Sequence, residues 1–154
     1  MQTTKHPSKS GVEFVTFSAG DQSFSLEITQ VREIRRWSPV TALPHAPTEV
    51  LGVMNLRGSV IPIYDLAARF GLGLTKENPR NVIVVAMHGN QTVGLLVEAV
   101  SEILSVSRDQ IQDTPDIRSD MARQSITGVI PIEGGMTRVI DLGAVLHPNG
   151  KSLS

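Results

Sequence analysis

The 154-residue chain is predicted to be all-β, a compact pair of β-barrels rather than a parallel sheet. Three observations point that way. Apolar residues alternate with period two in short runs, clearest at 23–28, where Phe24, Leu26 and Ile28 share one face. The pairs Gly20-Asp21 and Gly89-Asn90 fall where hairpins would turn, because Gly, Asp and Asn tolerate positive φ. The chain also echoes itself twice without gaps. An offset of 76 relates Gly52, Gly58 and Asp65 to Gly128, Gly134 and Asp141. An offset of 69 relates residues 14–34 to 83–103, where Val15, Gly20, Gln22, Leu26, Val31, Glu33 and Ile34 each meet an identical residue.

In chain order, half-buried strands are expected at 13–17, 23–28, 31–36, 53–56, 59–64, 81–87, 92–98, 128–132 and 138–140. Short helices follow Asp65 and Asp141, each an N-cap whose carboxylate accepts early helical N–H groups. A further helical turn is placed at 115–124, although its apolar spacing is poor. The repeats divide the chain near 74–80. That gives a first barrel at 13–75, a second at 80–148, and tails at 1–12 and 149–154. Because the offset grows from 69 to 76, the second half carries about seven extra residues, placed within 107–125.

Composition excludes several function classes. A formal net charge of −1 gives no field favouring nucleic acid or an acidic membrane. The absence of cysteine removes disulfides, thiolate nucleophiles and Cys-based metal sites. The longest apolar run, 82–87, is far too short to span a bilayer, so a cytoplasmic protein without membrane insertion is expected. His6, His45, His88 and His147 form no metal-ligand pattern, and neither a nucleophile elbow nor a phosphate loop occurs. No metal, cofactor or catalytic activity is therefore expected. A small-molecule site in a groove between the halves lacks any supporting motif.

Binding chemistry is better represented. Arg57 lies between Leu56 and Gly58 at a predicted turn, where its guanidinium would offer a fork of donors to a carboxylate or to carbonyls. The equivalent position in the second copy is Glu133. A solvated turn arginine fits the same residues. Gly52 and Gly58 answer either to backbone needs, a bulge and a tight turn, or to the close approach of a partner. In the run Val31-Arg-Glu-Ile34, alternation sends Val31 and Glu33 one way and Arg32 and Ile34 the other. Basic residues continue to Arg36, and Trp37 reads as core before contact.

These segments together resemble the CheW family of bacterial chemotaxis coupling proteins, across residues 13–148. The resemblance is carried by Val53-Met-Asn-Leu-Arg-Gly58 and Val60-Ile-Pro-Ile-Tyr-Asp-Leu66, with support from Val31-Arg-Glu-Ile34, Gly94-Leu-Leu-Val-Glu-Ala-Val-Ser101 and Val139-Ile-Asp-Leu142. It implies two five-stranded β-barrels packed along a shared hydrophobic seam. It also implies an adaptor that binds the cytoplasmic tip of chemoreceptors and the regulatory domain of the CheA histidine kinase. Carried over by motif, Val31, Glu33, Gly52, Asn55, Arg57 and Gly58 would face the receptor. Val93, Leu95, Val97 and Val100 would face the kinase.

Overall fold

A computed structural model describes residues 11–113 and 125–146. The tails and the helical turn expected at 115–124 lie outside the described residues, except that Gly11 and Val12 open the first strand and Val12 is buried. Among the described residues ten strands run in the order β1 (Gly11–Ala19), β2 (Gln22–Glu27), β3 (Val31–Arg36), β4 (Val50–Leu56), β5 (Ser59–Asp65), β6 (Val82–His88), β7 (Gln91–Val97), β8 (Ala99–Ser107), β9 (Ile126–Ile132) and β10 (Gly135–Ile140). Helix α1 (Leu66–Arg69) follows β5 and helix α2 (Leu142–Leu146) follows β10. Both start as predicted: Asp65 Oδ1 accepts from Ala68 N at 3.3 Å, and Asp141 Oδ1 accepts from Ala144 N at 3.1 Å.

Strand β8 was not expected. It is a nine-residue edge strand whose burial does not alternate cleanly, so the period-two signal is weak there.

The strands form two five-stranded sheets, ordered β8-β1-β2-β10-β9 and β3-β6-β7-β5-β4. The expected all-β pair of five-stranded units is thus present, although no closed sheet is found among the described residues, so that barrel describes each unit only loosely. Each instead has a single bridge by which the segment after one edge strand reaches the other edge. In the second sheet Thr41 and Val53 exchange two backbone hydrogen bonds of 2.9 Å. In the first sheet Gln112 and Val129 do so at 2.8 Å.

The sheets do not respect the expected division near 74–80. The hairpin β1–β2 joins the sheet of β8, β9 and β10, while β6–β7 joins that of β3, β4 and β5. Two parallel seams make the exchange: Ile63 pairs with Gly94, and Val139 pairs with Ser25. Under the offsets of 76 and 69 these are the same pair, so the repeats are structurally equivalent with their first hairpins traded. The chain's two compact units follow the sheets apart from strand ends: Phe17–Gln22 and Thr29–Val100 belong to one, and Ser23–Ile28 with the described residues on either side to the other.

Within the second sheet, Met54, Leu56, Ile61, Ile63, Ile83, Val85 and Leu96 form a buried cluster, with Trp37, Val40 and Leu51 packed on it. Each such large aliphatic side chain contributes roughly 1.5–3 kcal/mol on burial. Trp37 is thus partly buried against the core, as its sequence context predicts. In the other unit Val12, Phe14, Ile130 and Val139 cluster with Leu104, Val106 and Ile111.

Candidate protein-docking site

Strand β3 is an edge, paired only with β6, and its burial alternates strictly: Arg32, Ile34 and Arg36 are exposed while Val31, Glu33 and Arg35 are half-buried. A register shift between Val31 and Glu33 marks a bulge, which re-aims the side chains beside it. The other wall comes from the two-residue turn between β4 and β5, closed by the pair Leu56 and Ser59. Arg57 and Gly58 both take left-handed φ, 52° and 88°. Two such residues twist a turn to match the flanking strands, but asparagine or glycine usually fills the first position. Asn55 Oδ1 accepts from Gly58 N at 3.1 Å and steadies the turn.

That turn returns the Arg57 guanidinium to the edge strand, where its Nη2 donates to Glu33 Oε2. Arg35 Nη1 donates to Glu33 Oε1 at 3.3 Å. Both carboxylate oxygens are therefore engaged by arginine. The hydrogen bond from Arg57 is the main influence holding the Glu33 carboxyl below its usual 4.5, with a smaller pull from Arg35. The same bond raises Arg57 above its already high value. These groups lie at the surface, with side-chain exposures of 68% for Arg57 and 26% for Glu33, so solvent screens the pair.

Beside the pair opens a cleft of about 290 Å³. Its rim carries Arg32, Glu33 and Arg57 together with Ser59 and Thr92. Its walls are Leu56, Ile61, Val85 and Met87. The arrangement suits recognition of an amphipathic protein segment: apolar walls to take a side chain, and charges at the mouth to fix its register. Among the described residues no group of three or more His, Cys, Asp or Glu could hold a metal ion.

Of the residues singled out for receptor binding, Glu33 and Arg57 meet directly, and Asn55 and Gly58 build the turn that brings them together. Val31 is half-buried at the start of the same edge strand. Gly52 stands apart. It is buried at φ 153°, and a Cβ there would lie 2.1 Å from the Thr41 carbonyl oxygen. Its close neighbour is this chain's own backbone, so its role is to admit the bridge. The residues singled out for the kinase need correction: Val93, Leu95 and Val97 are fully buried, and only Val100 is half-exposed. Strand β7 lies between β6 and β5, and from Val93 to Val97 both of its faces are covered, so these side chains are not presented to a partner. Residues of the site that the sequence did not single out include Arg32 and Arg35, the wall residues Leu56, Ile61 and Val85, and Ser59, Met87 and Thr92. Arg35 lies in the basic run after Glu33. Met87 and Thr92 face each other across the β6–β7 hairpin, whose membership of this sheet has no local signal.

The model of the CheW-like domain family matches residues 13–149. The chain belongs to the CheW family. This CheW-family chain is 50% identical over 141 residues to the chemotaxis protein CheW of Rhizobium meliloti (strain 1021), covering 92% of this chain and 91% of that protein. It is 32% identical to the chemotaxis protein CheW of Klebsiella aerogenes over 143 residues, 93% and 86% of the two chains. In three dimensions it is similar to the crystal structure of the scaffolding protein TtCheW from Thermoanaerobacter tengcongensis, with a TM-score of 0.85 at 27% identity. That likeness covers 99% of this chain and 98% of the other. The duplication within this CheW-family fold also shows how the two copies diverged. Glu133, equivalent to Arg57, is exposed and does not take a left-handed φ, although Gly134 beside it does at 85°.

Proposed function

We propose that this chain is a non-enzymatic adaptor that couples the cytoplasmic tips of chemoreceptors to the regulatory domain of a CheA-type histidine kinase. It would act in the cytoplasm beneath membrane-bound receptor arrays. Among the described residues no helix is long and apolar enough to cross a membrane, so attachment would come from partners. Membership of the CheW family and the chemotaxis names of its relatives support this reading. The observation that carries it is the Arg57 turn: a bulky residue held left-handed within Asn55-Leu-Arg-Gly58, its guanidinium at the mouth of a cleft. Backbone outliers of this kind concentrate where function requires them.

In this reading Val31, Glu33, Asn55, Arg57 and Gly58 form or support the receptor-facing surface, with Gly52 shaping the strand beneath. Kinase contact then falls to exposed positions outside β7, with Val100 the one retained candidate. Because receptor and kinase would bias the same body, each must affect the affinity of the other reciprocally. The test is a reconstituted receptor–kinase assay with Arg57→Glu. Receptor-dependent kinase stimulation should be lost while circular dichroism and melting stay those of the parent. Full stimulation by the variant would remove Arg57 from the site.

A further inference from the structure

We propose that the exchange of hairpins is enforced by a steric gate at each parallel seam, a matched pair of side chains that admits one hairpin and bars its duplicate. In the second sheet Ile63 of β5 pairs with Gly94 of β7. Gly94 has no positive φ, so the demand for glycine comes from space alone. A Cβ there would lie 2.5 Å from Ile63 Cδ1 and 2.9 Å from Ile83 Cγ2. Both isoleucines are fully buried, so neither can swing aside without displacing packed neighbours. In the first sheet the equivalent pair is Val139 of β10 with Ser25 of β2. Valine lacks the Cδ1 methyl that is the nearer obstacle in the other sheet. Ser25 fits beside it fully buried, and its Oγ donates to the Arg138 carbonyl at 3.4 Å.

Trading the hairpins back would mismatch both seams. Ile63 would meet the Ser25 side chain in the space that Gly94 now leaves open, and Val139 would face Gly94 across a void. Overpacking at one seam and a cavity at the other each cost stability. A hydroxyl pair adds to the selection in the first sheet, where Ser23 Oγ donates to the fully buried Thr137 Oγ1 at 2.8 Å. The residue equivalent to Thr137 in the second sheet is Ile61, whose side chain offers Ser23 no acceptor. The gate governs how the chain assembles and is independent of what the folded chain binds.

The test uses the full chain and two double-mutant cycles read by urea unfolding. Gly94→Ser should lower the folding equilibrium constant about ten- to a hundredfold by overpacking. Ile63→Val should cost the parent about two- to tenfold as a lost methyl. In the Gly94→Ser background the same change should instead restore about threefold or more, because it removes the nearer obstacle. In the second cycle Val139→Ile should cost the parent about fivefold or more and be tolerated in Ser25→Gly, which recreates the pair used by β5 and β7. Additive losses in both cycles would overturn the matched pairing. Ser25→Gly also removes the side chain that bars β1–β2 from β5. Its refolding on urea dilution should therefore gain a phase that Val139→Ala, which opens a void in the same seam, does not show. Identical refolding of these two variants would overturn the gate and leave the seams as ordinary packing. Should Gly94→Ser fail to fold, the second cycle and the refolding comparison decide alone.

Discussion

At the scale of single residues, Arg57 holds a conformation that its own chemistry disfavours. A left-handed φ of 52° crowds the Cβ of any L-residue, and glycine escapes that crowding. Replacing Arg57 with glycine removes the strain along with one exposed ion pair, and exposed pairs contribute little. We therefore expect Arg57→Gly to melt at or slightly above the parent temperature while losing receptor-dependent kinase stimulation. A large drop in melting temperature would show that the arginine is structural. Glu33 gives a second expectation at this scale. Its carboxyl titrates below 4.5 in the folded chain because the charged form accepts hydrogen bonds from Arg57 and Arg35. A lowered folded-state value means the contribution is fully present above 4.5 and is lost as pH falls through the folded value. An NMR titration should place the Glu33 midpoint below 4.5 in the parent and move it back toward 4.5 in Arg57→Gly. An unchanged midpoint in the variant would mean that another group holds it down. The sequence alone identified Arg57 and Glu33 through the family motif. Their contact with each other, 24 residues apart, depends on a turn and an edge strand meeting, which no local pattern records.

At the scale of elements, the two glycines of the motif do different work. Gly52 lies where a second stretch of chain crosses β4, and a Cβ would be driven into the Thr41 carbonyl. Gly58 meets nothing within 4 Å, and only its φ of 88° demands glycine. Gly52→Ala should therefore destabilise by roughly 2–4 kcal/mol, a combined overpacking and backbone effect. Gly58→Ala should cost about 1–2 kcal/mol from backbone strain alone. Urea midpoints at constant m-value would rank them, and a reversed order would contradict the assigned roles. The echo of Gly52, Gly128, is crowded in the same way by Ile111 and the Gln112 carbonyl at the matching bridge. Both helix caps were legible because an aspartate before a short apolar run is a local signal. The bonds that the Asp65 carboxylate also accepts from Thr75 N and Thr75 Oγ1, at 2.8 and 2.6 Å, were not. Strand β8 was obscured by its exposed edge, where Ser101, Glu102 and Ile103 all face solvent. A signal for it existed nonetheless. The identities of Val31, Glu33 and Ile34 with Val100, Glu102 and Ile103 carry strand β3 onto β8. Two exposed side chains follow the same equivalence, Ile34 at 48% and Ile103 at 58%.

At the scale of the molecule, the duplication was visible in the sequence and the exchange of hairpins was not. Alternation and turn residues are satisfied equally whether β6–β7 pairs with β5 or β1–β2 does, since the two hairpins share their glycine turn and apolar faces. The choice is made by contacts far apart in sequence. The observed pair Ile63 with Gly94, in place of the unexchanged Ile63 with Ser25, decides it. Each sheet then draws three strands from one half of the chain and two from the other. The exchange leads to an expectation that two independent barrels would not meet. If the chain is divided in the exposed loop between Asn78 and Pro79, each fragment keeps only three strands of one sheet and an orphaned hairpin of the other. Neither fragment can bury the faces of those strands, and an isolated hairpin is marginal in water. Each fragment alone should lack a cooperative thermal transition by circular dichroism. An equimolar mixture should recover the spectrum of the intact chain and a concentration-dependent melt, because reassembly is bimolecular. A fragment that folds alone as a monomer would show that its half can complete a sheet without the other's hairpin, and the exchange would then be a detail of pairing rather than a condition of folding.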